Sequence, residues 1–287
     1  MTGLPLDAHL HTDLSPDSDV PIDVYAAAAL AAGRSEIAIT DHVDFEPNAP
    51  AFAYATFDDR ERMVRSAAER WGPQGVQIRF GVELTYDRAW EDDIRAHLRR
   101  HAYDFTIGSV HDRAKSPYNP RTVREWVAGR PLAEIVAPYF GEVEAAARSG
   151  LFDTIGHIDV VKLYLHPHVL PTALAAEPEL YEPILRALVE SGTALEVNTS
   201  GLRHPVGEQY PPPHIVARFH EVGGRAVTIG SDAHRAGQFG FGLPEGYASI
   251  AAAGIEALTF RRAPGQARIQ IPFHAAERSA TTPTDAG

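Results

Sequence analysis

An alternation of two hydrophobic patterns constrains this chain more than any other feature. Short apolar or β-branched runs recur, and a longer segment with helical spacing follows each one, which is the signature of βα units around a parallel sheet. The runs are Leu4 to Leu10, Glu36 to Thr40, Val76 to Val82, Asp104 to Val110, Asp153 to Gly156, Thr193 to Asn198 and Arg225 to Gly230. Helical patterns occupy Ile22 to Ala32, Asp58 to Trp71, Trp90 to His101, Leu132 to Arg148, Pro178 to Ser191, Pro213 to Val222 and Pro244 to Ala253. Glycines at Gly33, Gly150, Gly192 and Gly223 stand where a helix must give way to the next strand, because glycine accepts the left-handed conformation of a helix end. Seven such units in 287 residues suit one β/α barrel, whose usual size is roughly 250 residues. An eight-stranded barrel needs one more unit, and Ala267 to Phe273 is the segment able to supply a last strand without a helix.

Two irregular stretches, Val43 to Thr56 and Ala114 to Val123, follow strands directly and are expected to roof a site, since loops of that length in a compact domain are usually functional. The N-terminal residues lack the basic start and apolar stretch of a secretory signal, and no segment is a long uninterrupted apolar run, so a cytoplasmic protein is expected. Past Phe273 the chain is poor in large apolar residues, and residues 274–287 are expected to form a loose tail.

Histidines and carboxylates gather where the apolar runs end. The first run closes on Asp7-Ala8-His9-Leu10-His11, the second on Thr40-Asp41-His42, the third on Gly81-Val82-Glu83 and the fourth on Gly108-Ser109-Val110-His111. The fifth and seventh add Gly156-His157-Ile158-Asp159 and Gly230-Ser231-Asp232-Ala233-His234. In a parallel barrel these ends converge on one rim, where active sites are built. Positions two apart on a strand share a face, so His9 and His11 are set to hold one ion side by side, with Asp7 one step below. The chain has 14 histidines and no cysteine, which excludes disulfides, thiolate metal sites and cysteine nucleophiles and leaves imidazole and carboxylate as ligands. Such ligands suit Zn, Mn or Fe, and two or more ions need a shared carboxylate, for which Glu83 is the natural bridge. A net charge of −12 argues against nucleic acid or an anionic membrane as the main partner.

In order and spacing, these six segments resemble the PHP (polymerase and histidinol phosphatase) superfamily from Asp7 through His234. The resemblance implies the α/β class and a distorted (β/α)7 TIM-like barrel of PHP type, a single phosphoesterase domain over residues 1–273, with a site for three divalent metal ions (Zn, Mn or Fe). It implies a first ion held by His9, His11, Glu83 and Asp232, a second by Glu83, His111 and His157, and a third by Asp17, His42 and His234. Asp17 occupies a place where many PHP proteins carry histidine, a substitution similar to the histidinol-phosphatase branch. Thr12 to Asp19, Gly156 to Lys162 and Glu196 to Arg203 resemble the monofunctional histidinol-phosphate phosphatases of that branch.

The implied reaction is hydrolysis of L-histidinol phosphate to L-histidinol and phosphate, in histidine biosynthesis, by a metal-activated hydroxide. Arg203 is the first candidate to bind the phosphate, because a guanidinium offers it a fixed fork, and Lys162 is the second. Asp7 and Asp41 are expected to orient ligand imidazoles, and Asp159 is a candidate acid or base. Asp44, Glu46 and Asp112 are candidates to receive the imidazole and amine of the substrate, and His204 adjoins Arg203 as a weaker candidate for substrate contact. His97 and His101, near the end of a charged helix, read as solvated residues that favour the helix dipole. The competing readings are another PHP phosphoesterase acting on a nucleotide, cyclic phosphodiester or sugar phosphate, and a noncatalytic metal-binding regulatory protein. An amidohydrolase would typically carry a carbamylated lysine where this chain has glutamate.

Overall fold

A computed structural model describes residues 4–111 and 116–273. Asp112, the beginning of the Ala114 to Val123 stretch and the 274–287 tail lie outside the described residues.

Each of the seven apolar runs contains a strand. In chain order the strands are β1 (Leu6–Leu10), β2 (Glu36–Ile39), β3 (His42–Val43), β4 (Gln77–Thr85), β5 (Phe105–Ser109), β6 (Thr154–Ile155), β7 (Ala194–Asn198), β8 (Val227–Gly230), β9 (Ala257–Phe260) and β10 (Ile269–Pro272). The parallel order is β1-β2-β4-β5-β6-β7-β8, with the short β3 paired to β4. A parallel bridge between Leu10 and Ala233 links the end of β8 to β1 and nearly closes a barrel. Strands β1, β2, β5, β7 and β8 are buried along their whole length, as expected when helices cover one face of a parallel sheet and the barrel interior the other.

The helices follow their boundary chemistry. The helix Phe57–Trp71 starts at Thr56, whose hydroxyl accepts the Asp59 amide at 3.1 Å, and Asp58 and Asp59 place negative charge on its first turn. Its Val64 and Ala67 are buried where it packs on β4. The helices Leu132–Ser149 and Glu182–Ser191 end at Gly150 and Gly192, at φ 63° and 70°, a region that a β-carbon makes costly.

The last strand departs from the sequence expectation. Ala267 to Phe273 does contain a strand, but β10 pairs antiparallel with β9 instead of entering the barrel. With β8 already bridged to β1, the barrel has no edge left for it. Ion pairs of 2.6 Å from Arg261 to Asp153 and from Arg262 to Glu36 tie the segment after β9 to the starts of β6 and β2, at the end of the barrel opposite the histidine-bearing strand ends. Among the described residues, no helix is long and apolar enough to cross a membrane.

Candidate metal centre

Strand geometry brings the rim residues together. His9, His11, Glu83, His157 and Asp232 converge with His42, His111, Asp17 and His234 above the ends of six strands. Glu83, at the centre, is fully buried. Its two oxygens face different partners: Oε2 lies 3.3 Å from His9 Nε2 and 3.4 Å from His11 Nε2, while Oε1 lies 3.0 Å from His157 Nε2 and 3.4 Å from His111 Nε2. Asp232 Oδ1 stands 3.7 Å from His9 Nε2 and 3.4 Å from His11 Nε2. Asp17 Oδ2 lies 3.3 Å from His42 Nε2 and 3.2 Å from His234 Nε2, and His42 Nδ1 reaches Glu83 Oε2 at 2.9 Å.

These separations suit donors around cations. Four ligands bonded tetrahedrally at ~2.1 Å sit about 3.4 Å apart from one another. Four overlapping triplets meet a common 4.8 Å limit: His9-His11-Glu83, His9-His157-Asp232, His42-Glu83-His111 and His11-His42-His234. His9 Nε2 and His11 Nε2 are buried polar atoms without a hydrogen-bond partner, an arrangement that costs free energy unless a cation meets them. The residues present therefore fit divalent metal.

Local charge prepares the same donors. Burial alone would raise the Glu83 carboxyl, but His9, His42 and His111 hold it well below the usual carboxylate range. Burial is likewise outweighed at Asp232, by His9, His11 and His234, and at Asp17, by His234 and His42. Burial, with His234 and His42 beside it, pushes His11 well below the ordinary imidazole value and keeps it in the neutral form that binds metal.

Glu196 is a site residue that the sequence reading placed in a motif without giving it a role. Its Oε1 accepts from His9 Nδ1 at 2.6 Å, and its Oε2 accepts from the His157 amide at 2.8 Å and Asn198 Nδ2 at 3.1 Å. A carboxylate can only accept, so Nδ1 carries a proton and Nε2 is the nitrogen left to face Glu83 and Asp232 as a metal donor. The available signal was a charged residue inside the apolar run Ala194-Leu195-Glu196-Val197. Glycine makes room for this contact: a β-carbon at Gly230 would collide with the side chain of His9 and lie 3.1 Å from Glu196 Oε1.

The expected supporting carboxylates act on other groups. Asp7 accepts the Ser231 amide at 2.9 Å and the Ser231 hydroxyl at 2.7 Å, and Asp41 accepts the Thr12 amide at 2.6 Å and the Thr12 hydroxyl at 2.8 Å. Neither holds an imidazole. Both instead pin a chain segment that carries ligands. Thr85 meets His111 Nδ1 at 3.0 Å and so performs for one histidine the orienting task expected of those carboxylates.

Arg203 and Lys162 also differ from expectation. The Arg203 guanidinium donates to the Ser231 carbonyl at 2.6 Å and to the Asp232 carbonyl, gripping a residue whose φ of 53° is unfavourable for aspartate. Lys162 is buried with its ammonium 2.7 Å from both Asp159 and Glu208, so its charge is already matched within the protein. Asp159 accepts from Tyr181 at 2.7 Å, and burial raises its carboxyl. Neither Asp159 nor Lys162 lines the cavity above the metal donors.

That cavity has a volume of about 540 Å³. The Val43 to Thr56 stretch roofs it as expected, through Asp44, Phe45, Glu46 and Asn48 among others, and His204 stands on its wall. Burial and the neighbouring Arg203 push His204 below the ordinary imidazole value. His97 departs from the solvated reading: it is partly buried, 2.9 Å from the Tyr103 hydroxyl, and burial pushes it down to about 4.

Comparison with known proteins agrees with this geometry. The PHP domain family model matches residues 7–200. A probable histidinol-phosphatase of Deinococcus radiodurans is 35% identical over 268 residues, covering 91% of this chain and 98% of its own length. A histidinol-phosphatase of Lactococcus lactis is 26% identical, with 80% of this chain and 84% of the relative covered. The crystal structure of histidinol phosphate phosphatase from Lactococcus lactis, complexed with Zn, L-histidinol and phosphate, superposes with a TM-score of 0.78 at 23% identity, covering 92% of this chain and 98% of that one. At that identity the superposition establishes the shared barrel fold. With the family model matching more than half of its length and a 35% identical relative spanning nearly all of it, this chain belongs to the PHP domain family.

Proposed function

We propose that this chain is a metal-dependent phosphomonoesterase that hydrolyses L-histidinol phosphate to L-histidinol and phosphate. The observation that carries the reading is the division of Glu83, one oxygen toward His9 and His11 and the other toward His111 and His157, at the floor of a cavity. The names of the relatives support the choice of substrate.

Three ions are assigned to three donor groups: His9, His11, Glu83 and Asp232; Glu83, His111 and His157; and Asp17, His42 and His234. Bound divalent ions supply neutralisation of phosphate charge and a water whose pKa is lowered toward ~7. The remaining work falls to the protein. Glu196 and Thr85 orient His9 and His111. Arg203 holds the Ser231 and Asp232 carbonyls from Nη1 and Nη2, its Nε is buried and it does not line the cavity, so we assign it to positioning Asp232 beside the phosphate. Lys162 and Asp159 are assigned to support the wall behind the site.

The test is phosphate release by purified protein loaded with Mn, Zn or Fe, comparing kcat/KM for histidinol phosphate, a nucleoside monophosphate and a cyclic dinucleotide. A clear preference for histidinol phosphate is expected, and equal values for all three refute the assignment. Replacing Glu83 by Gln is expected to lower both bound metal and activity, and unchanged stoichiometry refutes the bridging role.

A further inference from the structure

Behind the roof lies a separate cavity of about 220 Å³, between residues 43–57 and a wall that includes Arg60, His97 and Tyr103. Its surface is largely aromatic, from Phe45, Phe52, Phe57 and Tyr103. The rings support one another: Phe45 meets His97 edge-on with centroids 5.5 Å apart, and Phe57 meets Tyr103 in the same way at 5.3 Å. Asp44, Phe45 and Ala51 line this cavity and also the one above the metal donors.

Arg60 is the residue on this wall that packing does not explain. It is only 2% exposed, yet among the described residues its guanidinium has a single acceptor, the Asp41 carbonyl, 3.1 Å from Nη1. Its Nε is buried without a partner. A guanidinium carries five N–H donors and a permanent charge, and a buried cation ordinarily meets an anion and several acceptors. The two carboxylates whose charge reaches Arg60 are turned elsewhere, Asp41 to the amide and hydroxyl of Thr12 and Asp44 to the Ala51 amide at 3.2 Å.

We infer that this cavity binds a free α-amino acid with an aromatic side chain, its carboxylate on Arg60, its ammonium on Asp44 and its ring against the aromatic wall. A plain anion such as phosphate meets repulsion from Asp44, and a plain amine meets repulsion from Arg60. A zwitterion answers both charges and brings no net charge into a largely apolar space. Because Asp44, Phe45 and Ala51 also belong to the roof over the metal donors, a ligand held here fixes that roof from behind. Binding does not require the phosphatase activity.

The test is calorimetric titration of metal-loaded protein with L-phenylalanine, phenethylamine, which lacks the carboxylate, and 3-phenylpropionate, which lacks the ammonium. Saturable binding of L-phenylalanine is expected, with either analogue weaker by about 10-fold or more because each leaves one charge of the site unanswered. Arg60→Gln is expected to weaken L-phenylalanine by about 10-fold or more and to remove the disadvantage of phenethylamine. Since that variant also releases the Asp41 carbonyl, Ala55→Phe serves as a second one: it fills the cavity, leaves both charges in place and is expected to abolish binding. Thermal melts and bound metal show whether each variant is folded. Absence of saturable binding to the wild type, equal affinity for the three ligands, or unchanged binding in folded variants overturns the site and leaves the phosphatase reading standing. Amide hydrogen exchange over residues 43–56 is expected to slow at saturation, and unchanged exchange overturns the coupling to the roof.

Discussion

Replacing Glu196 by Gln tests how far the metal centre depends on a residue that touches no metal. Glu196 accepts three hydrogen bonds, at 2.6 Å from His9 Nδ1, 2.8 Å from the His157 amide and 3.1 Å from Asn198 Nδ2. Glutamine has the same shape but a single acceptor oxygen. If that oxygen stays on His9, the new NH₂ faces the His157 and Asn198 donors and two contacts are lost. If the amide is reversed, the NH₂ meets His9 Nδ1 and drives the proton to Nε2, which removes the lone pair turned toward Glu83 and Asp232. Either arrangement forfeits at least one charge-assisted hydrogen bond in a buried setting, about 1.5–3 kcal/mol. A loss of ~2 kcal/mol corresponds to about 30-fold in affinity, within the ~10- to 100-fold expected of residues that orient ligands. Competition with a calibrated chelator measures zinc affinity, and circular dichroism confirms that the variant is folded. A folded Glu196→Gln protein with zinc affinity within about twofold of wild type refutes the reasoning.

Two further predictions concern packing and pH. Gly230→Ala drives a β-carbon into His9 and is expected to cost at least about 1–3 kcal/mol and to reduce bound metal, whereas Gly237→Ala, with nothing within 4 Å of the added carbon, is expected to do neither; thermal melts and metal content check both. His97 binds a proton near 6.5 when unfolded but only near about 4 when folded, so between those values the unfolded state holds more protons. Stability then rises with pH through that window and is lost on acidification, with a slope of at most about 1.4 kcal/mol per pH unit from this residue, before discount for its partial exposure. Denaturant titrations of His97→Gln from pH 7 to 4.5 are expected to show a shallower acid loss than wild type; identical slopes contradict the assignment.

Much of the fold was legible because seven of the eight strands in the parallel sheet coincide with short apolar runs, and four of the helices give way at a glycine. The same regularity placed His9, His42, Glu83, His111, His157 and Asp232 on one rim before any contact was known, since strand ends converge in a parallel barrel whatever the loops do. The antiparallel β9 and β10 were harder to read. A strand run looks alike whether it closes a barrel or folds back beneath it, and the choice depends on β8 already reaching β1.

Partnership was legible only where it follows from the type of element. Asp7, Asp41 and Asp159 were recognisable as buried acids near ligands, but what a buried acid holds is decided by donors brought from elsewhere: Ser231, 224 positions from Asp7, Thr12, 29 positions from Asp41, and Tyr181, 22 positions from Asp159. The consequence is mechanical. Asp7 grips Ser231 from one side, Arg203 holds the Ser231 and Asp232 carbonyls from the other, and the Asp232 amide donates to the His9 carbonyl at 2.9 Å, so the unfavourable backbone at Asp232 is over-determined by its neighbours. A strained ligand held in this way can keep its position as metal enters and leaves, because reorientation would break contacts with two other chain segments at once. The charge that sequence reading assigned to phosphate at Arg203 thus has an earlier task, which is to fix the carboxylate on which the metal depends.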